Sequence, residues 1–305
     1  MAFLKSRLSA LSTGTTFQSV NKTALENLEI PHPKKPEQEK IAAVLWKIQR
    51  AIQVEEKLLA TTRELKHSVM RQLFTKGLHG ELQRETELGP APHTWATSQL
   101  GTLLEIKHGF AFQGQFFAPV GPYVLLTPGH FYEEGGFRDQ KEKTKYYTGP
   151  FPPEYLLQQG DLLVAMTEQT SGLLGSAVII PESNKYLHNQ RLGLVTSLKE
   201  EALDRAFLYH FFSRPEVRAR IAQTATGSKV RHTSPGRIRA LPIALPPLEE
   251  QHEIASILDT IDRKISVHGR KHAVLTDLFQ TMLHHLMTAK IRVDKLKIDI
   301  SGVAS

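Results

Sequence analysis

The chain contains no cysteine. Disulfides and thiolate metal sites are therefore excluded, and a reducing compartment, the cytoplasm, is the expected location. It has no run of about eighteen apolar residues, so no segment reads as membrane-spanning. Several catalytic signatures are also lacking. There is no G-x-x-x-x-G-K-[ST] phosphate loop, no G-x-G-x-x-G turn after a strand, no H-E-x-x-H pair and no Asn/Asp-Pro-Pro-aromatic box. These absences argue against an enzyme, and neither a metal site nor a bound cofactor is expected. What is present is 305 residues, 40% of them hydrophobic, enough for about two domains. A formal charge of +7 and a pI near 9.4 favour an anionic partner.

The chain writes one segment twice. "EQEKIAAVLWKIQRAI" (Glu37 to Ile52) reappears as "EQHEIASILDTIDRKI" (Glu250 to Ile265), and the offset of 213 residues between Glu37 and Glu250 extends outward without a gap. Gly14 falls on Gly227, Pro33 on Pro246, Arg50 on Arg263 and Leu73 on Leu286. The Ser-rich, acid-free start superficially suggests a transit peptide. "LKSRLSALSTG", however, lies in step over "VRARIAQTATG" (Val217 to Gly227), so the N-terminus reads as the tail of a folded module. Two copies at so long a period mean duplicated domains, not a solenoid. All but the tail of a first module is absent, and the chain reads as one and a half units of a two-unit protein.

Both copies open with Pro before an acidic first turn, a helix start. Downstream, Ile254, Leu258, Ile261, Ile265, His268, His272, Leu275, Phe279, Met282 and Leu286 alternate spacings of four and three. Their counterparts are Ile41, Leu45, Ile48, Ile52, Glu55, Leu59, Thr62, Lys66, Val69 and Leu73. This is a coiled-coil seam, on helices about 55 Å long at 1.5 Å per residue. Antiparallel pairing with Ile41 opposite Leu286 would set Glu55 against His272. Those two either form a buried polar pair that fixes register or reach solvent at a splayed midpoint.

The stretch from Trp95 to Leu245 reads differently. Strands are expected at "YVLLTP", "GDLLVAMT", "LLGSAVIIP" and "QRLGLVTSL", then helices at "EEALDRAFLYHFF" and "EVRARIAQTA", then a strand at "ALPIAL". The fold class is α+β: one mixed module plus two long helices in an antiparallel coiled coil. The divisions are 1–35, a first-module remnant; 36–78, the first helix; 79–94, a linker; 95–245, the module; 246–289, the second helix; and 290–305, a tail.

"KHGFAFQGQFF" offers Lys107, His108, Phe112 and Gln113 between glycines that would let the backbone approach a partner. Gln169 and Arg191 flank the central strands. "GSKVRHTSPGR" offers Lys229, Arg231, His232 and Arg237 in a Gly/Ser/Pro loop. Lys and Arg suit phosphate contacts, while Gln, Arg and His can read base edges. Phe110 reads as core. His284 and His285 read as solvated on a helix face, Asp161 as a turn former, and "FRDQKEKTKYY" as a solvated hairpin.

The chain resembles the specificity subunit of type I restriction-modification systems. The resemblance rests on "LPPLEEQHEIASILDTIDRKI" and its weaker copy "HPKKPEQEKIAAVLWKIQRAI", on "GFAF", and on "GDLLVAM" with "GLLGSAVI". It implies that each module reads one half of a bipartite double-stranded DNA site and that the helices set the half-site spacing. It implies partners as well: methyltransferase subunits that use S-adenosylmethionine, and a restriction/translocase subunit. The near-missing first module departs from the pattern. A second copy, another specificity chain, or an inactive truncation that only binds partners all fit at this point.

Overall fold

The structure is a computed structural model that describes residues 19–28, 30–169 and 171–300 together with Ser9 and Ser12. In chain order come α1 (Lys22–Glu26), α2 (Lys35–Lys76), β1 (Gln83–Thr86), β2 (Gly89–Pro92), β3 (Ala96–Gln99), β4 (Glu105–His108), β5 (Phe117–Ala118), β6 (Tyr123–Leu126) and β7 (Tyr146–Tyr147). Then follow β8 (Leu162–Ala165), β9 (Thr167–Glu168), β10 (Ala177–Ile179), β11 (Tyr186–His188), β12 (Leu192–Thr196), α3 (Arg205–Phe212), α4 (Pro215–Gln223), β13 (Arg231–His232), α5 (Pro235–Arg239), β14 (Pro242–Leu245) and α6 (Leu248–Met287). Two compact units form. One comprises Lys66–Thr260; the other joins the first 65 residues to those from Ile261 onward.

The repeat is visible in the backbone. α2 and α6 start at Lys35 and Leu248, and α1 and α5 start at Lys22 and Pro235, all at the same offset. The caps repeat too. Asn21 accepts from the Ala24 N–H at 2.7 Å, and its equivalent, Ser234, accepts from the Arg237 N–H. About half of the remnant expected over residues 1–35, 17 of its 35 positions, lies outside the described residues.

In the unit built on residues 1–65 and 261–305, the two long helices run antiparallel. Ile41 and Leu286 share one apolar cluster, while further along Glu55 meets His268. Each apolar seam residue of that unit is buried or half-buried: Ile41, Leu45, Ile48, Ile52 and Leu59 on α2, and Ile261, Ile265, Leu275, Phe279, Met282 and Leu286 on α6. The expected midpoint register is corrected. Glu55 pairs with His268 at 2.7 Å, and His272 pairs with Glu56 at 3.1 Å. A side chain in an antiparallel pair sits between two partner positions one turn apart, and Glu55 closes on the earlier of the two. The tail folds back in this unit, with Val293 buried against Ile41 and Leu286.

The second unit is layered around the sheet β10-β8-β12-β4. β8 is buried along its whole length, and its side chains alternate between two cores. Leu162 and Val164 face a core with Phe207, Phe211 and Trp95; Leu163 and Ala165 face one with Val124, Leu126 and Val178. The helix-side core also takes Val69, Met70, Leu73 and Phe74 from α2 and Ile254, Ala255 and Leu258 from α6. A second sheet, β11-β6-β7-β5, carries an aromatic lobe around Tyr147. β14 pairs with β3 from Pro242↔Gln99 to Leu245↔Ala96, closing the module between its two ends.

Two expectations are revised. Residues 79–94 are not a plain linker: β1 and β2 form a hairpin, and Leu88, Ala91 and Trp95 bury apolar side chains in the module. The segment from Phe137 to Tyr147 is not a hairpin either. It runs through a 3₁₀ turn at Lys141–Lys143 into β7, one of the two inner strands of the second sheet. Asp161 acts as a turn former, its carboxylate accepting the Gln158 N–H at 2.8 Å.

Candidate nucleic-acid interface

Backbone hydrogen bonds gather the candidate residues at one end of the central sheet. The Met166 N–H donates to the Arg191 carbonyl and the Thr233 N–H to the Met166 carbonyl, each at 2.9 Å. β13 pairs with β9, setting Arg231 opposite Glu168 and His232 opposite Thr167. On the far side of β12, His108 lies opposite Gly193. The end of β4 with Lys107 and His108, the loops holding Gln169, Arg191 and Lys229, and β13 with Arg231 and His232 are thus joined through neighbouring strands. Gly227 makes the last loop possible. Its φ of +98° is a left-handed conformation, and a Cβ there would lie 2.1 Å from the Val230 carbonyl oxygen.

The structure sorts these residues by what already holds their side chains. Glu168 is 3% exposed, and one of its oxygens accepts the N–H groups of Gly172, Leu173 and Leu174 at 2.9 to 3.0 Å. Its other oxygen binds the Arg231 guanidinium at 3.2 Å, and Arg231 also donates to the Ala222 carbonyl. Arg231 is therefore a structural cation whose charge is spent on Glu168, which corrects its placement among the phosphate contacts. Phe112 is likewise corrected. Its ring packs 4.8 Å from Tyr147 and 5.1 Å from Phe110, inside the aromatic lobe. The glycine before it serves the fold: a Cβ on Gly109 would sit 2.0 Å from the Asn189 carbonyl oxygen, so the close approach is to the chain itself.

The remaining candidates keep free or lightly held head groups. Lys107 lies over the Tyr155 ring at 4.2 Å and donates to the Glu154 carbonyl at 3.1 Å. His232 touches the Thr167 hydroxyl through Nδ1 at 3.2 Å, and Arg237 donates to the Thr226 hydroxyl at 3.3 Å. His108, Gln113 and Lys229 are exposed.

A recess of ≈ 320 Å³ opens beside this edge, lined by Gln169 and Arg191 together with His130, Gln140, Lys143 and Lys145. The last four were not singled out by sequence reasoning. The run of lysines at 141, 143 and 145 was the signal available, hidden by the acidic residues around it. Burial pushes the His130 imidazole below its ordinary range, which favours the neutral ring beside the lysines. Among the described lining residues Glu168 is the one carboxylate, and its oxygens are already committed. The recess is cationic with hydrogen-bonding amides, a composition suited to a polyanion with readable polar edges.

A basic strand-end surface on an α+β module, in a chain that also has a pair of long helices, has the character of a nucleic-acid-binding protein. The comparisons agree with that class. Residues 1–62 and 92–277 match the family described as type I restriction modification DNA specificity domain, and the chain belongs to this family. It is 26% identical over 302 residues to the type I restriction enzyme MjaVIII specificity subunit of Methanocaldococcus jannaschii, covering 97% of this chain and 68% of that subunit. It is also 26% identical over 280 residues to the putative MjaX specificity subunit of the same organism, of which it spans 62%. The crystal structure of a type I restriction-modification S subunit from M. genitalium shares the fold, with a TM-score of 0.59 at 16% identity over 94% of this chain and 70% of that one.

Proposed function

We propose that this chain reads one half of a bipartite double-stranded DNA site through the module of residues 95–245 and performs no chemistry itself. Methylation falls to docked methyltransferase subunits using S-adenosylmethionine, and a restriction/translocase subunit joins through them. The observation that carries this reading is the cationic rim at the strand ends, in a chain of a DNA specificity family. Docking has its own support in the helices. Val54 and Val267, and Leu65 and Leu278, occupy equivalent repeat positions, and all four are exposed by 39 to 50%. Large apolar side chains repeated at matched exposed sites suit protein partners. The second half-site falls to another copy of this chain or to another specificity chain. No described helix is long and apolar enough to cross a membrane, and a DNA partner agrees with a cytoplasmic location.

The test mixes the purified chain with methyltransferase subunits and double-stranded DNA and measures the mass of what forms. A complex holding all three, with affinity falling steeply as salt rises, is expected. A complex with methyltransferase that retains no DNA would leave a coiled-coil scaffold in its place. Failure to bind either would overturn both readings.

A further inference from the structure

Resting on the DNA reading above, we infer that the recess is where sequence is discriminated: Arg191 and Gln169 contact base edges, and Lys143 and Lys145 hold the adjoining phosphates. The argument starts from rigidity. A residue that reads a base needs a fixed backbone and an uncommitted head group, since a wandering mount loses the discrimination that hydrogen bonding offers. Arg191 has that mount. Its N–H donates to the Asn189 side chain at 3.0 Å, its carbonyl accepts from Met166, and β12 begins at the next residue. Gln169 directly follows Glu168, whose carboxylate is locked onto three backbone N–H groups and Arg231.

Both side chains are exposed, and neither the Arg191 guanidinium nor the Gln169 amide has a hydrogen-bond partner among the described residues. The other glutamine of the recess is already occupied: Gln140 donates to the Gly129 carbonyl. Arginine presents two parallel donors that match the O6 and N7 acceptors of guanine, while a glutamine amide matches N6 and N7 of adenine. The assignment is therefore a guanine for Arg191 and an adenine for Gln169. Lys143, in the 3₁₀ turn, and Lys145, just after it, are exposed point charges that suit phosphate oxygens, which hold register and carry no sequence information.

The test selects a randomised library of double-stranded 40-mers with the full chain in its methyltransferase complex, then repeats the selection with Arg191→Ala, Gln169→Ala and Lys143→Ala/Lys145→Ala. The wild type enriches a motif. Arg191→Ala makes one guanine position degenerate, and Gln169→Ala one adenine position, each losing roughly 10- to 100-fold of discrimination at that position while the other positions of the motif keep theirs. Arg191→Lys keeps the charge and still relaxes the guanine. The lysine pair weakens all sequences alike and lowers the log–log salt slope by about 2. If the Arg191 and Gln169 variants enrich the wild-type motif unchanged, the recess is not the reader, although the DNA reading survives. If the wild type enriches no motif, the proposal falls together with the reading it rests on.

Discussion

Glu37 holds Arg292 in a two-pronged ion pair, with Nε on Oε1 at 2.7 Å and an Nη on Oε2 at 2.6 Å, and the carboxylate is 4% exposed. The same Oε1 accepts the Val293 N–H at 3.4 Å. Its repeat equivalent, Glu250, accepts the Leu78 N–H at 3.2 Å. In each unit, then, the acidic first turn of one long helix catches the chain just after the other long helix ends. An N-terminal carboxylate that offsets the helix dipole also fastens the following segment.

Hydrogen bonding from Arg292 holds the Glu37 carboxyl below the ordinary carboxylate range. A depressed native pKa stabilises the fold above the unfolded value and loses that contribution as pH falls through the native value. Acid should therefore release the tail at residues 290–299. Hydrogen exchange across pH 7 to 3, corrected for the intrinsic rate at each pH, should show tail amides losing protection on acidification in the wild type. In Glu37→Gln their protection should already be low at neutral pH and almost independent of pH. Equal protection of the variant at pH 7 would remove the clamp.

The second prediction concerns the middle of the helix pair. Glu55 and His268 have side chains only 13% and 20% exposed. Replacing both by Leu removes their desolvation and extends the apolar seam, whereas Glu55→Leu alone strands His268 beside it. The double variant should unfold later than the wild type, by about 2 °C for a gain near 1 kcal/mol in a chain of this size. The single variant should unfold earlier. A calorimetric scan of the three proteins decides it, and a less stable double variant would make the pair a net stabiliser.

The long helices were legible because a three-four alternation records which face is covered, whatever covers it. The same pattern does not tell which of two histidines one turn apart a glutamate will choose, and Glu55 takes His268. The strands of the module were legible as apolar runs, since β8 and β6 are covered on both faces. The β1–β2 hairpin was not, because Gly89, Pro90 and Pro92 look like linker punctuation and only Leu88, Ala91 and Trp95 show that the segment is anchored. At the candidate interface, residue type alone cannot separate a free cation from a spent one. Arg231 and Arg191 read alike until β13 sets the first against Glu168. The lysines at 143 and 145 stayed hidden because their place beside Pro128 to His130 exists only after folding.

His188 supplies a test of the sheet edge. It is fully buried, its Nε2 lies 2.9 Å from the Leu192 carbonyl, and burial pushes its imidazole down to about 4. The unfolded ring takes a proton near pH 6.5, so the native state binds fewer protons between that value and about 4. Stability should therefore be full above pH 6.5 and decline as pH falls toward 4, by no more than about 3 kcal/mol from this residue. Urea midpoints at pH 7 and pH 4.5 should move closer together in His188→Gln than in the wild type. An unchanged spacing would place the acid sensitivity elsewhere.

Glu168 offers the sharpest separation of support from reading. Its carboxylate gathers three backbone N–H groups and a guanidinium in a buried position, and Arg218 braces the same loop by donating to the Leu174 carbonyl at 2.7 Å and to the Gly172 carbonyl. Glu168→Ala leaves those donors without their acceptor and Arg231 without its counter-charge, at a cost of about 3 kcal/mol. The damage should concentrate at residues 172–174 and 231–232. Hydrogen exchange should show those amides losing protection while the β14–β3 pair, at the module's other end, keeps its own. If DNA discrimination relaxes along with the loop, the recess walls depend on this one carboxylate for their shape. If protection falls evenly across the module, Glu168 supports the fold as a whole and has no special claim on the reading surface.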